Sequence, residues 1–95
     1  MGEAYIIDAI RTPTGRRKGT LAEVHAADLG AFILRTLVDR HDIPVEDYDD
    51  VIFGCVDAVG PLAGNIARTC WLTAGFPEAI PGVSVDRQCG SSQQA

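Results

Sequence analysis

Short apolar segments alternate in this chain with longer segments of helical periodicity, and this alternation constrains the fold more than any other feature. The apolar segments cover residues 4–10, 50–56 and 81–87 and contain β-branched residues, which is typical of buried strands. The resulting order is strand, helix, strand, helix, strand and the beginning of a third helix. Such an order favours parallel pairing through right-handed crossovers. We therefore predict an α/β fold with three largely parallel strands, two complete helices and a third helix that is only begun.

The two complete helical segments are amphipathic. The predicted apolar face of the first, residues 26–40, consists of Leu29, Phe32, Ile33 and Leu37. The predicted apolar face of the second, residues 64–76, consists of Ile66, Ala67, Cys70, Trp71 and Ala74. Pro44 prevents the first helix from continuing, and Gly75 with Pro77 ends the second.

Composition argues against several functions. The 95 residues carry a net charge of −5, which argues against a nucleic-acid partner because phosphate binding depends on clustered Lys and Arg. No apolar run approaches the roughly 18–20 residues of a membrane-spanning helix, so we expect no membrane partner. The cysteines are odd in number and lack metal-ligand spacing, which predicts reduced thiols in a cytoplasmic protein without a metal site.

Cys89 stands out because an apolar segment ends just before it and a helix is predicted to begin just after it. In open α/β sheets, ligands and catalytic groups gather where strands lead into helices. The amides of a first helical turn would favour the thiolate, and they could also hold a developing oxyanion, the Cys89 amide included. A structural thiol is the alternative. It suits Cys55 and Cys70, which lie among apolar residues, whereas both interpretations stay open for Cys89 among Gln, Gly and Ser.

Three short motifs follow one another along the chain. They are Arg-Thr-Pro-x-Gly at residues 11–15, Gly-Asn-x-Ala-Arg at residues 64–68 and Arg-x-Cys-Gly-Ser at residues 87–91. In this order and spacing they resemble the N-terminal part of thiolases, and the resemblance covers essentially the whole chain. Asp86 stands where thiolases usually have Asn, and Ser92 where many have Gly. In this respect the chain is most similar to bacterial thiolases that act on bulky or steroid-derived acyl-CoAs.

The resemblance implies a fold and a reaction. The fold would be the N-terminal part of an αβαβα layered structure, whose half-sheet has the order 3-2-1-4-5. This chain would supply strands 3, 2 and 1, which leaves the first strand as an unpaired edge. Cys89 would be the nucleophile that accepts an acyl group from a 3-ketoacyl-CoA, releases acetyl-CoA and passes the acyl group to coenzyme A, or catalyses the reverse condensation. The setting would be fatty-acid or steroid side-chain β-oxidation.

The resemblance also implies partners. Coenzyme A would be a co-substrate, no cofactor would be bound permanently, and the full-length protein would be a homodimer or homotetramer that acts on acyl-CoA. The residues that contact coenzyme A stay unassigned, and Arg16, Arg17 and Lys18 are only weak candidates for its phosphates. Two alternatives stay open: a condensing enzyme of the ketoacyl-synthase type, and a non-catalytic thiolase-like protein that binds lipid.

Thiolases also use an acid/base cysteine, a histidine and an asparagine-bearing loop, all beyond the nucleophile in sequence. His25 and His41 match none of these positions, and His41 is more simply a solvated side chain or a cation near the end of the first helix. We therefore expect residues 1–95 to be a partial N-terminal thiolase domain, truncated after the nucleophile motif and inactive alone.

Overall fold

A computed structural model describes residues 2–95. Its elements, in chain order, are the helix α1 (Ala26–Asp39), the strand β1 (Val51–Gly54), the helix α2 (Ile66–Thr73), the strand β2 (Gly82–Val85) and the short helix α3 (Ser91–Gln94). Single turns of 3-10 helix cover Val45–Asp47 and Gly60–Leu62. The two strands pair in parallel, with Val51 opposite Gly82 and Gly54 opposite Val85. This arrangement confirms the α/β class, and both strands lie within predicted apolar segments.

The first predicted strand is not formed. Residues 4–10 pair with no strand among residues 2–95, and Tyr5, Ile6 and Ile7 are 77%, 91% and 73% exposed. A strand depends on a hydrogen-bonded neighbour as well as on β-branched residues, and β1 and β2 pair only with each other. The prediction of three strands is therefore wrong for the described residues, where the sheet has two.

An ion-pair cluster holds this N-terminal segment against the end of α1. The Asp8 carboxylate lies 2.9 Å from Nε of Arg40 and 2.7 Å from Nε2 of His41. The hydrogen bond from His41, with a second one from the Ala9 amide, holds the pKa of Asp8 below its usual value. His41 thus has a carboxylate partner, which the sequence pattern did not indicate.

The core lies between α2 and the sheet, and Trp71 is its largest member. Trp71 is 1% exposed and packs with Val51 and Ile80. Its ring centroid lies 4.6 Å from that of Phe76, and its indole N–H donates to the Pro77 carbonyl oxygen at 2.7 Å. The one polar atom of this large side chain therefore has a partner, and this hydrogen bond offsets the cost of removing the indole N–H from water.

The buried face of α2 agrees with the prediction in its four main members, Ile66, Ala67, Cys70 and Trp71. The face of α1 agrees only in part, since Leu29, Ile33 and Leu37 are half-buried. Its buried residues are Ala27 and Ala31, whereas Phe32, which was predicted to face the core, is 57% exposed. The reason is the close approach of the two helices: a Cβ at Gly30 would overlap Sγ of Cys70, so only small residues fit along this contact.

Residues 2–95 contain no helix that is both long enough and apolar enough to cross a membrane.

Candidate active site

Cys89 lies on the short connection between β2 and α3. The strand ends at Val85, and α3 begins at Ser91 after the cap residue Gly90. Because β1 and β2 are parallel, their carboxyl ends lie at the same end of the sheet, and Cys89 follows the carboxyl end of β2. Cys89 is exposed, so a reagent in solution can reach it.

The other two cysteines have different surroundings. Cys70 is fully buried between α1 and α2, and this burial raises the pKa of its thiol above the usual value. Cys55 is half-buried, and its amide continues the ladder between the strands by donating to the Val85 carbonyl oxygen at 3.0 Å. Both environments suit the structural roles expected from the sequence, and Cys89 is the accessible thiol of the three.

The connection that carries Cys89 is a tight turn with an unusual backbone. Gln88 has φ of 51°, which is the left-handed region that side chains other than Gly rarely adopt. The amide of Gln88 donates to Oδ1 of Asp86 at 3.0 Å. Asp86 therefore supports the turn directly, and a short acceptor side chain suits this local hydrogen bond.

The amides that follow Cys89 are used differently from what the sequence suggested. The Gly90 amide donates to the Arg87 carbonyl oxygen at 3.0 Å, and the Ser91 amide donates to the Gln88 carbonyl oxygen at 3.2 Å. These two donors close the turn and are not directed at the sulfur. The Cys89 amide takes no part in the hydrogen bonds of the turn formed by the described residues.

Ser91 is a buried neighbour of Cys89 that the sequence pattern did not single out. It is 5% exposed, and its hydroxyl makes two hydrogen bonds across the turn. Its Oγ accepts from the Arg87 amide at 2.9 Å and donates to the Gln88 carbonyl oxygen at 2.6 Å. The sequence indicated only that a small residue follows Cys89 and Gly90, since no local pattern distinguishes a buried serine from an exposed one.

The Gly-Asn-x-Ala-Arg motif ties α2 to β2. Asn65 caps the helix, because its Oδ1 accepts from the Arg68 amide at 3.2 Å. The same oxygen accepts from the Ser84 hydroxyl at 3.0 Å, and Nδ2 of Asn65 donates to the Gly82 carbonyl oxygen at 2.7 Å. Asn is a favoured cap residue, so this signal was present in the sequence, although the helix predicted from residue 64 began two residues before the observed start at Ile66.

Arg68, the last residue of this motif, fastens the loop that leads into β2. Its guanidinium donates to the carbonyl oxygens of Ile80 at 2.7 Å and Glu78 at 2.9 Å. The motif therefore contributes structure: it positions the strand whose end carries Cys89.

The basic loop and the histidines do not join the cysteine turn. Arg16 and Lys18 line a pocket of about 610 Å³ formed by residues 14–20, and Cys89 is not among its lining residues. His25 caps α1, with Nδ1 accepting from the Ala27 amide at 3.0 Å, and His41 contacts Asp8. Both histidines therefore have structural partners outside the cysteine turn.

Two pockets adjoin the ends of the strands. One, of about 330 Å³, is lined by Arg87, Gly90, Gln93 and Gln94 on the cysteine turn and α3. The other, of about 660 Å³, is largely apolar and lies between α1, α2 and the end of β1, where Gly54 and Cys55 line it. The pocket beside the cysteine turn is thus lined by Arg, Gly and Gln residues, and the pocket at the end of β1 is largely apolar.

The Arg-x-Cys-Gly-Ser motif therefore places an exposed cysteine between a parallel strand and a short helix. The family described as "Thiolase, N-terminal domain" matches residues 4–95. The chain belongs to the thiolase family.

Three relatives illustrate the similarity. The chain is 64% identical over 95 residues to a steroid 3-ketoacyl-CoA thiolase of Mycobacterium tuberculosis. It is 46% identical over 96 residues to a beta-ketoadipyl-CoA thiolase of Acinetobacter baylyi, and 45% identical over 96 residues to a 3-oxoadipyl-CoA/3-oxo-5,6-dehydrosuberyl-CoA thiolase of Escherichia coli. Each match covers 100% of this chain but 23%, 24% and 24% of the respective relative, so the chain spans about a quarter of their length.

Proposed function

We propose that this chain carries the acyl-accepting nucleophile of a 3-ketoacyl-CoA thiolase, and that Cys89 is that nucleophile. The observation that carries the proposal is the exposed Cys89 on a tight turn at the carboxyl edge of a parallel sheet, in a chain of the thiolase family. A thiolate is a strong nucleophile towards a ketone carbon, and the thioester that it forms is a good acyl donor.

The reaction would proceed in two steps. In the first, the Cys89 sulfur attacks the 3-keto carbon, the bond between C2 and C3 breaks, and its electron pair leaves on C2 of acetyl-CoA, where it is protonated. In the second, the thiol of coenzyme A loses its proton and attacks the Cys89 thioester, which releases the shortened acyl-CoA and restores the cysteine. The Cys89 amide, which the turn leaves free, is suited to donate to the oxyanion that forms in either step.

The substrate is proposed to be a bulky or steroid-derived 3-ketoacyl-CoA. Support comes from the 64% identity to a steroid 3-ketoacyl-CoA thiolase, against 43–46% for relatives named after ketoadipyl or oxoadipyl substrates. We propose coenzyme A as co-substrate, no permanently bound cofactor, and a cytoplasmic homodimer or homotetramer. The three free thiols fit a reducing compartment.

Acylation of Cys89 tests the proposal directly. Full-length protein is incubated with acetoacetyl-CoA or a steroid side-chain 3-ketoacyl-CoA, quenched in acid and analysed by peptide mass spectrometry. We expect the acyl mass on the peptide that contains Cys89 and its disappearance on addition of coenzyme A. Cys89→Ser should abolish both, whereas Cys55→Ser is the matched control and should leave them intact. Acylation at another residue would refute the assignment.

Iodoacetamide labelling separates this proposal from a non-catalytic, thiolase-like lipid-binding protein. As a nucleophile, Cys89 should be alkylated near neutral pH much faster than the half-buried Cys55 and the buried Cys70, and acyl-CoA should protect it. Slow labelling of Cys89 that acyl-CoA does not change would favour the binding protein.

The domain proposal has its own test. We propose that residues 1–95 form part of a larger thiolase domain and do not turn over substrate alone, because the acid/base groups of the family lie outside this stretch. Purified residues 1–95 should cleave acetoacetyl-CoA no faster than their Cys89→Ser variant. Cleavage by the fragment above that background would contradict the proposal.

A further inference from the structure

We propose that Ser91 is a positioning residue for Cys89: its hydroxyl holds Gln88 in the left-handed conformation and so fixes the peptide plane that carries the Cys89 amide. The inference rests on the role proposed above for Cys89. It names a further residue of the same site, and its test does not require that Cys89 be acylated.

The first step in the argument is the conformational cost at Gln88. At φ of 51° the backbone of a glutamine is higher in free energy than in the helical or extended regions. Such a conformation is kept only where surrounding contacts stabilise it. Gln88 is exposed, so packing of its own side chain does not supply that support. The support has to come from hydrogen bonds to the backbone of the turn.

Ser91 supplies bonds on both sides of Gln88. Its Oγ accepts from the Arg87 amide at 2.9 Å and donates to the Gln88 carbonyl oxygen at 2.6 Å, and its own amide donates to the same carbonyl oxygen at 3.2 Å. One residue therefore makes three bonds to the two residues that precede Cys89. The Asp86 carboxylate adds a fourth by accepting from the Gln88 amide at 3.0 Å.

These bonds also determine where the Cys89 amide points. The Gln88 carbonyl and the Cys89 N–H belong to one peptide plane, and in a trans peptide they point in opposite directions. Since the Gln88 carbonyl is held towards Ser91 by two donors, the Cys89 N–H is directed away from Ser91 and from the interior of the turn. This N–H is the proposed oxyanion donor, and a loose peptide plane would misdirect it together with the sulfur.

The anchor is rigid because Ser91 is itself fixed to the sheet. Ser91 is 5% exposed, and α3 packs against the carboxyl ends of β1 and β2. The charged groups nearest in the chain are Asp86, which is engaged with the Gln88 amide, and Arg87, whose guanidinium donates to Oε1 of Gln94. Ser92, in contrast, is exposed and makes no side-chain bond to the turn among residues 2–95.

The test compares Ser91→Ala with Ser92→Ala in full-length protein. The rate constant for alkylation of each cysteine by iodoacetamide is measured from about pH 6 to pH 9. We expect Ser91→Ala to slow alkylation of Cys89 by about tenfold at neutral pH, because the loss of both bonds releases the turn. Ser92→Ala should behave as wild type, and Ser91→Thr, which keeps the hydroxyl, should recover most of the rate.

If the role of Ser91 is purely structural, Ser91→Ala lowers the unfolding temperature and leaves the alkylation rate of Cys89 unchanged across the pH range. That result overturns the proposal, provided that Cys70 stays protected from the reagent. If Ser91→Ala exposes Cys70 to the reagent and is therefore unfolded, Gln88→Val decides. Valine at this exposed position disfavours the left-handed conformation while Ser91 is retained. Slowed alkylation of Cys89 in Gln88→Val supports the proposal, and an unchanged profile overturns it.

The outcome is distinguishable from failure of the proposed function. If wild-type Cys89 is not acylated by acetoacetyl-CoA, the thiolase assignment falls, yet the alkylation profiles still show whether Ser91 positions Cys89. If Cys89 is acylated but Ser91→Ala leaves its alkylation profile unchanged in folded protein, the assignment of Ser91 alone is wrong.

Discussion

Gly54, the last residue of β1, lies directly against the backbone of Ser92 in α3. A Cβ at position 54 would overlap the Ser92 amide nitrogen and Cα, which are backbone atoms and cannot rotate away. The missing side chain is what allows the helix after Cys89 to rest on the end of the neighbouring strand.

Gly54→Ala should therefore lower the free energy of unfolding by about 1–3 kcal/mol, because α3 has to move away from the sheet to make room. Urea unfolding followed by Trp71 fluorescence measures the change. Gly90→Ala is the matched control, since a Cβ there would meet its nearest neighbour, the Arg87 carbonyl oxygen, at an ordinary 3.5 Å. Equal stability of the two variants would show that the contact between β1 and α3 is looser than described.

Asn65 is expected to stabilise more than a helix cap alone. Asn65→Ala removes the bond to the Arg68 amide and both bonds to β2, so we expect a loss of about 1–2 kcal/mol. Asn65→Asp keeps the oxygen that accepts from Arg68 but places a second carboxylate oxygen against the Gly82 carbonyl oxygen, so it should also be destabilising. Chemical denaturation of both variants gives the values.

His25→Ala serves as the comparison for Asn65, because His25 caps α1 through the single bond to Ala27. If Asn65→Ala lowers the free energy of unfolding no more than His25→Ala does, the hydrogen bonds between Asn65 and β2 do not contribute to stability.

Arg68 should not be replaceable by lysine. Its planar guanidinium reaches the Ile80 and Glu78 carbonyl oxygens with two different nitrogens, a geometry that a single ammonium does not reproduce. We expect Arg68→Lys to lower the free energy of unfolding by about 1 kcal/mol. The exposed Arg35→Lys in α1 is the control and should be neutral, and thermal melts of the two variants side by side provide the comparison.

The ion-pair cluster at Asp8 should make the free energy of unfolding depend on pH in the acidic range. The pKa of Asp8 in the folded chain is held below its usual 3.8 by the His41 hydrogen bond, so the stabilising contribution is complete above that value. It is then lost as the pH falls through the lowered folded pKa. We expect the urea midpoint of wild type to fall on acidification from about pH 5 to pH 2 more steeply than that of Asp8→Asn.

Asp42→Asn changes an exposed carboxylate close to the same cluster and is the control for Asp8→Asn. It should retain the acid dependence of wild type. If Asp8→Asn retains it as well, Asp8 does not contribute to the acid response of the fold.

Local patterns predicted the parts of the fold that depend on near neighbours in sequence. β1, β2 and the buried face of α2 follow from apolar runs and from helical spacing, since each residue there packs on the side that its own position dictates. The location of Cys89 between β2 and α3 followed in the same way. Only three residues separate Val85 from Cys89, so little freedom remained in where the cysteine could lie.

The remaining features depended on partners that are distant in sequence. Residues 4–10 have the composition of a strand, but pairing requires a free neighbouring edge in register, which composition does not specify. Phe32 has the spacing of a core residue, yet the approach of Gly30 to Cys70 turns smaller residues towards α2. The burial of Ser91 depends on α3 resting on Gly54, across 37 residues of chain.

The sequence by itself thus determined the class of fold, the family and the position of Cys89 between β2 and α3, because periodicity and short motifs are written in consecutive residues. Tertiary structure alone decided which apolar segment pairs, which helix face is buried and which hydroxyl holds the cysteine turn. Those outcomes depend on the distance between elements, and a single missing Cβ at a contact is enough to change that distance.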